Sequence, residues 1–288
     1  MRNHLLSIIK SFLLGLTLAL SLSAQAQFYT NGDVRKHEPT PVEIVDTSRL
    51  EIIYEYWRRD TVIDDAKLDV DILQIGNHSS LYSSYGSYRC DSIYEALYPN
   101  GCTINEYGLI AQQEQRHRNW TFKDFESGML TDRVSASWEG YKYSEPIPDF
   151  DWEITEETGR RRGLQCHKAL TDFRGRRWEV WYSEEIPISD GPWKFQGLPG
   201  LVVYAIDADH EQVFALCSVR EIVKPIGVSQ DSAYKTSRER ALKQVETTSL
   251  DKGAAFRMAG IFLKDENGED SVEDLSGRRG FFAPLERE

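Results

Sequence analysis

Trp178-Glu179-Val180-Trp181-Tyr182, then Leu201-Val202-Val203-Tyr204-Ala205-Ile206, then Val213 to Val219, is the stretch that decides the fold class. Trp178, Val180 and Tyr182 alternate with Glu179 and Trp181, the period-two pattern of a strand. Leu201 to Ile206 is apolar on both faces, which predicts a central strand. Val213 to Val219 alternates again. Leu164 to Leu170 reads as a further strand. Arg174-Gly175-Arg176 and Asp207-Ala208-Asp209-His210 are turns built from residue types that reverse a chain. Successive strands joined by tight turns pair antiparallel. The expectation is a mainly β protein of β-rich α+β type. It has one curved antiparallel sheet, in the form of an open half-barrel, with one or two peripheral helices.

Working outward, Glu51 to Trp57 places Ile52, Tyr54 and Tyr56 on one face, and Asp69 to Ile75 alternates likewise. Gln27 to Ser48, with Pro39 and Pro41, reads as an extended lead-in. Asn77 to Tyr88 is rich in Ser, Tyr and Gly and reads as loop, with a short helix over Tyr88 to Leu97. Tyr141 to Phe150 carries Pro146 and Pro148 and reads as a connector, because proline cannot donate within a central strand. Glu156 to Gly159 reads as a turn. Beyond Lys224 the composition becomes polar. Ser229 to Thr247 reads as a surface helix with Glu239 and Lys243 four apart in the favourable order. Lys264 to Arg279 is acidic and reads as loop.

The amino terminus reads as a signal peptide. Arg2, His4 and Lys10 surround a short apolar start, Phe12 to Leu22 is apolar, and Ala24-Gln25-Ala26 offers small residues for cleavage. Cleavage after Ala26 leaves residues 27–288 as a single domain with a polar C-terminal segment from about 226 to 288. The apolar run is shorter than the roughly 20 residues that span a bilayer, and no later stretch is apolar enough. The expected location is the periplasm or the exterior. Removing Arg2 and Lys10 leaves 32 basic against 46 acidic residues. Such a balance argues against nucleic acid, whose binding rests on basic side chains neutralising phosphates, and against anionic lipid surfaces. In an oxidising compartment Cys90 and Cys102 are the candidate disulfide pair, closing a short loop. Cys166 and Cys217 are left to pair or to sit as small apolar residues.

The most distinctive segment is Gly191-Pro192-Trp193-Lys194-Phe195-Gln196-Gly197-Leu198-Pro199-Gly200-Leu201-Val202. Leu198 to Leu201 fits a type II turn, with Pro199 fixing φ and Gly200 supplying positive φ. It would launch the central strand and leave Trp193, Phe195 and Leu198 to plug one end of the sheet. The functional alternative is a ligand-binding lip made of Trp193, Phe195, Trp181 and Tyr182. The segment resembles the signature of the GLPGLI family of exported Bacteroidetes proteins, with Gly197, Leu198, Pro199, Gly200, Leu201 and Val202 at the naming positions and Val202 where the name has Ile. The resemblance extends to Ile154–Gly163, Cys166-His167-Lys168-Ala169, Arg174 to Trp178, Trp181-Tyr182-Ser183 and Glu185-Ile186-Pro187. Tyr54, Asp69 and Ser79 to Tyr82 resemble its N-terminal part. The final Ala283-Pro284-Leu285-Glu286 is similar to its Asn-Pro-Ile-Glu ending. The resemblance implies no activity.

Enzyme motifs are absent: there is no H-E-x-x-H, no G-x-S-x-G and no phosphate-cradling glycine loop. Asp207, Asp209 and His210, with Glu211, are weak metal candidates that a solvated hairpin turn explains as well. Asp149, Asp151 and Glu153 lack the spacing of a recognised calcium loop. No cofactor is expected. The leading expectation is a non-catalytic binding or carrier module whose partner is an apolar small molecule or an outer-membrane protein. The alternatives are a structural accessory of an outer-membrane uptake or secretion complex, and a periplasmic hydrolase. The hydrolase would require acids and histidines such as Asp149, Asp151, His167, Asp207 and His210 to converge in one cleft.

Overall fold

The computed structural model describes residues 36–114, 117–137, 139–258, 260 and 272–287. The predicted signal peptide and much of the acidic 264–279 segment lie outside them. The chain divides into two compact units, residues 1–39 with 93–113, and residues 40–92 with 114–288.

In the smaller unit, a helix over Ile104–Glu114 starts with a reciprocal cap. The Thr103 N–H donates to Glu106 Oε2 at 2.7 Å, and the Glu106 N–H donates to Thr103 Oγ1 at 3.3 Å. His37 stacks on Tyr107 with ring centroids 3.7 Å apart.

The larger unit is one twelve-stranded sheet. Its strands are β1 (Val42–Asp60), β2 (Asp65–Ile75), β3 (Ser79–Ser84), β4 (Trp120–Asp124), β5 (Met129–Ala136), β6 (Glu139–Pro146), β7 (Glu153–Arg161), β8 (Leu164–Phe173), β9 (Arg176–Ser183), β10 (Leu201–Asp207), β11 (Gln212–Ser229) and β12 (Tyr234–Lys235). They lie in the order β12-β6-β5-β4-β3-β2-β1-β11-β10-β9-β8-β7. The named pairings are antiparallel except the short β12–β6 contact. A helix over Arg238–Leu250, capped by the Ser237 side chain, lies against β5 and β6. The predicted strand class and antiparallel pairing are therefore present.

Several local expectations are corrected. Ser79–Ser84 is a strand, although Ser and Tyr dominate it, because its side chains are buried between β2 and β4. Tyr141 to Pro146 belongs to strand β6; Pro146 stands at its last position, where a missing N–H costs least. Glu156 to Gly159 lies within β7, with a bulge between Ile154 and Thr158, and the reversal comes at Arg162-Gly163. Strand β11 continues to Ser229, so the helix begins only at Arg238. Gly200 does not adopt positive φ, so Leu198 to Leu201 is not a type II turn. Gly197 does, at 91°. Gly200 is required for another reason: a Cβ there would stand 2.1 Å from the Ser183 carbonyl oxygen.

The sheet rolls up on itself. Strand β6 and the β8–β9 turn are eight strand positions apart, which in a flat sheet is roughly 40 Å at about 4.8 Å per strand. Yet Arg174 in that turn bonds Glu145 on β6 at 2.8 Å. Lys123 on β4 likewise reaches the β9–β10 loop, donating to the Gly191 and Phe195 carbonyls at 3.2 and 3.0 Å. The space inside the roll is filled by that loop. It enters as a hairpin held by an Asp190–Gln196 bridge, with its tip over Pro192 to Phe195, where the Phe195 N–H donates to the Pro192 carbonyl. Phe195 meets Trp178 edge-on at 5.0 Å, and Phe214 stacks on Tyr56 at 4.4 Å.

Candidate functional site

The four residues considered as a ligand lip are core residues. Trp193, Phe195, Trp181 and Tyr182 are each 5% exposed or less. Trp181 is covered by the Arg161 guanidinium, 3.9 Å from its ring centroid, and its indole N–H donates to Glu179. The signature residues Leu198, Leu201 and Val202 are buried beside them, and the Tyr54 hydroxyl donates to the Val202 carbonyl at 2.7 Å. An aromatic lip open to solvent would need these rings at the surface, and the packing places them inside.

The two ends of the roll differ. At the end where β1 finishes, charge dominates. Lys194, fully buried at the tip of the signature hairpin, meets Asp132 at 2.9 Å, Glu145 at 2.6 Å and Glu286 at 2.6 Å. Burial alone would lower the lysine pKa, but the three carboxylates outweigh it and hold it above the usual range. Arg176, also buried, pairs with Asp207 and with Glu211. The segment from Arg278 to Arg287 runs across this end.

At the other end lies an open cleft of ≈ 640 Å³, lined by Arg49, Leu50, Ile75, Pro187, Ile188, Glu221, Ile222 and Val223. Its volume falls in the range of small-molecule sites, it is wide open, and its lining mixes polar and apolar surface. The polar side chains stand at the rim. Arg49 is held in place by two bonds to the Gly76 carbonyl, at 3.2 and 2.9 Å. Val223 is 83% exposed. The cleft lies where β1 leaves β2 at Leu50, the last paired residue, beside the loop carrying Pro187 and Ile188.

A second apolar surface faces outward. Trp57 is 46% exposed and is opposite Leu68 on β2 and Val213 on β11, with Val70 two residues beyond Leu68.

The weak metal candidates have other roles. Asp207 accepts from Arg176 and from the Glu211 and Gln212 N–H groups, and Asp209 pairs with Arg287 at 2.5 Å. His210 closes the turn by donating its N–H to the Asp207 carbonyl. Among the described residues no group of three or more His, Cys, Asp or Glu is arranged to hold a metal. His167 stacks on Tyr182, a different part of the sheet from Asp207. The four cysteines are thiols here, with Cys217 exposed and the others buried; a Cys90–Cys102 bridge stays a proposal for oxidising conditions.

Sequence reasoning missed the buried ionic groups. One is a Tyr82–Asp71–His117 chain: the Tyr82 hydroxyl donates to Asp71 Oδ2 at 2.6 Å, and His117 Nε2 is 2.9 Å from Asp71 Oδ1. Burial lowers the His117 pKa, but the Asp71 carboxylate raises it further, leaving it above the ordinary 6.5. The Asn119 N–H faces its other ring nitrogen at 3.3 Å. In the neutral ring Nδ1 accepts from Asn119 and Nε2 donates to Asp71; protonation keeps the Asp71 contact and gives up the Asn119 one. One signal for Lys194 was present: a lysine set directly between Trp193 and Phe195, both core formers.

The class defined by this geometry is a rolled, mainly antiparallel sheet packed around its own aromatic hairpin. Residues 144–204, which contain that hairpin, match a family described as "Protein of unknown function (Porph_ging)". No curated protein matches the chain significantly. Among solved structures, PNGF-II in two space groups is similar at 15% and 14% identity, with TM-scores of 0.48 and 0.47. Each match covers 71% of this chain and 34% of the other, so the chain spans about a third of the length of those structures. No described helix is long and apolar enough to cross a membrane.

Proposed function

We propose that this is a non-catalytic binding module of the bacterial cell envelope, exported by its amino-terminal signal peptide, that holds an apolar group in the cleft at the open end of the roll. The resemblance to the GLPGLI family supports the envelope location. The observation that carries the reading is the apolar cleft bounded by Leu50, Ile75, Pro187, Ile188, Ile222 and Val223. The interior is filled by the hairpin, so cargo is taken at this end rather than along a hollow lumen. The open shape suits the apolar portion of a larger molecule, with Arg49 and Glu221 at the rim for its polar part.

The test is uptake of an environment-sensitive apolar dye, together with native mass spectrometry of protein taken from an envelope fraction. Wild type binds dye saturably, and Val223→Asp with Ile222→Asp abolishes this while the fold is kept. Equal dye uptake by wild type and the double variant, with a bare mass, rejects the reading. A second reading, docking of a partner protein on the outer face, is favoured by the exposed Trp57, Leu68 and Val70. Photo-crosslinking from position 68 to one discrete partner would support it.

A further inference from the structure

We infer that the charged end of the roll is a peptide-binding site, and that the carboxy-terminal segment from Arg279 to Arg287 is a replaceable ligand seated in it. This segment has no helix or strand. Its main chain is read by side chains of the sheet, with the Gly280 and Arg287 N–H groups bonded to the Ser249 and Arg174 carbonyls. Asp60 accepts from the Phe282 N–H at 2.8 Å. Gln212 Nε2 donates to the Ala283 carbonyl at 3.2 Å. Arg176 donates to the Pro284 carbonyl at 2.5 Å and to the Leu285 carbonyl at 3.1 Å. Bonds to main-chain groups accept any side chain, which is how proteins recognise extended peptides.

Gln212 and Arg176 keep partners outside the segment, whereas Asp60 has its ion pair with Arg279 of the segment itself. Gln212 is fixed by the Tyr56 hydroxyl at 2.7 Å, and Arg176 by Asp207 and Glu211. That part of the receptor is organised in advance, the condition that lowers the ordering cost of binding.

Three side chains add specificity. Arg279 makes two bonds of 2.7 Å to the Asp60 carboxylate. Phe281 lies under Lys67 and Arg58, 4.3 and 5.6 Å from its ring centroid. Glu286 meets Lys194 at 2.6 Å and Arg238 at 2.5 Å. Around that glutamate, Arg174, Lys194 and Arg238 stand with Asp132, Glu145 and Glu239. The ligand class is an extended peptide with arginine, an aromatic two residues on, and a glutamate five beyond.

The test uses the full chain carrying Glu286→Gln and a fluorescently labelled peptide with the sequence of residues 278–288. In wild type the tethered segment outcompetes added peptide by its high effective concentration. In the variant, hydrogen exchange should rise over residues 279–287 alone, and the labelled peptide should bind. A peptide with the same Glu→Gln change should bind on the order of tenfold more weakly, the loss of one charge-assisted contact. The inference fails if exchange rises across β9 and β10 as well, since the segment is then part of the cooperative core. It also fails if the segment is released yet no peptide binds, or if it stays protected both in Glu286→Gln and in the double variant with Arg279→Ala. A variant with both Arg279→Ala and Glu286→Gln repeats the measurement where the single change proves too mild.

Discussion

The two ends of the rolled sheet are held by opposite means. At the cleft, Leu50, Ile75, Ile188 and Ile222 pack without paired charges, and the end stays open. At the far end of the same strands, Lys194, Arg176 and Asp60 are buried, and each has ionic partners. Apolar packing is non-directional and tolerates a gap beside it. A buried charge does not, because an unpaired one is costly. The sheet residues of the closed end therefore tolerate substitution least, and the open end has freedom to change.

The largest expected effect tests that difference directly. Lys194→Met leaves three carboxylates buried together and should destabilise the protein by roughly 3–5 kcal/mol in urea unfolding. A neutral result would break the comparison, since the closed end would then be no more demanding than the open one. Next, Tyr54→Phe leaves the Val202 carbonyl without its donor in the core. It should cost about 1–3 kcal/mol by the same measurement. The His117–Asp71 contact sharpens the comparison through pH. Its folded pKa is raised, so its stabilisation is complete below the unfolded value of about 6.5 and is lost as pH rises through the folded value. The stability difference between wild type and His117→Asn should therefore shrink as pH rises from about 6.5 through the folded value; a constant difference would show that the contact acts only by packing. The smallest effect belongs to the open end. Val223→Ser, at an exposed position, should change stability by less than about 0.5 kcal/mol while reducing dye binding.

Much of the sheet was legible in the sequence. Trp178 to Tyr182, Leu201 to Ile206 and Asp69 to Ile75 carry their alternation in a few residues, and the turns at Arg174-Gly175 and Asp207–His210 are marked by their composition. The signature was legible as a plug but not in its turn type: Gly200 is set by the Ser183 carbonyl pressed against it, a contact 17 residues away. Strand β3 was missed because its serines are buried between two neighbours rather than exposed in a loop. The cleft was not legible, since its walls come from β1, β2, β11 and the 187–188 loop.

The sequence by itself determined the strand class, the antiparallel hairpins and the aromatic plug, because side-chain alternation, turn chemistry and apolar content act over a few residues. Only the tertiary structure decided which charges are buried. Lys194 meets partners 62, 49 and 92 positions away, at Asp132, Glu145 and Glu286. Those distances close only when the sheet rolls, and no local pattern in the chain records the rolling. The physical reason is that periodicity is a property of neighbours in sequence, whereas the cost of burying a charge is settled by neighbours in space.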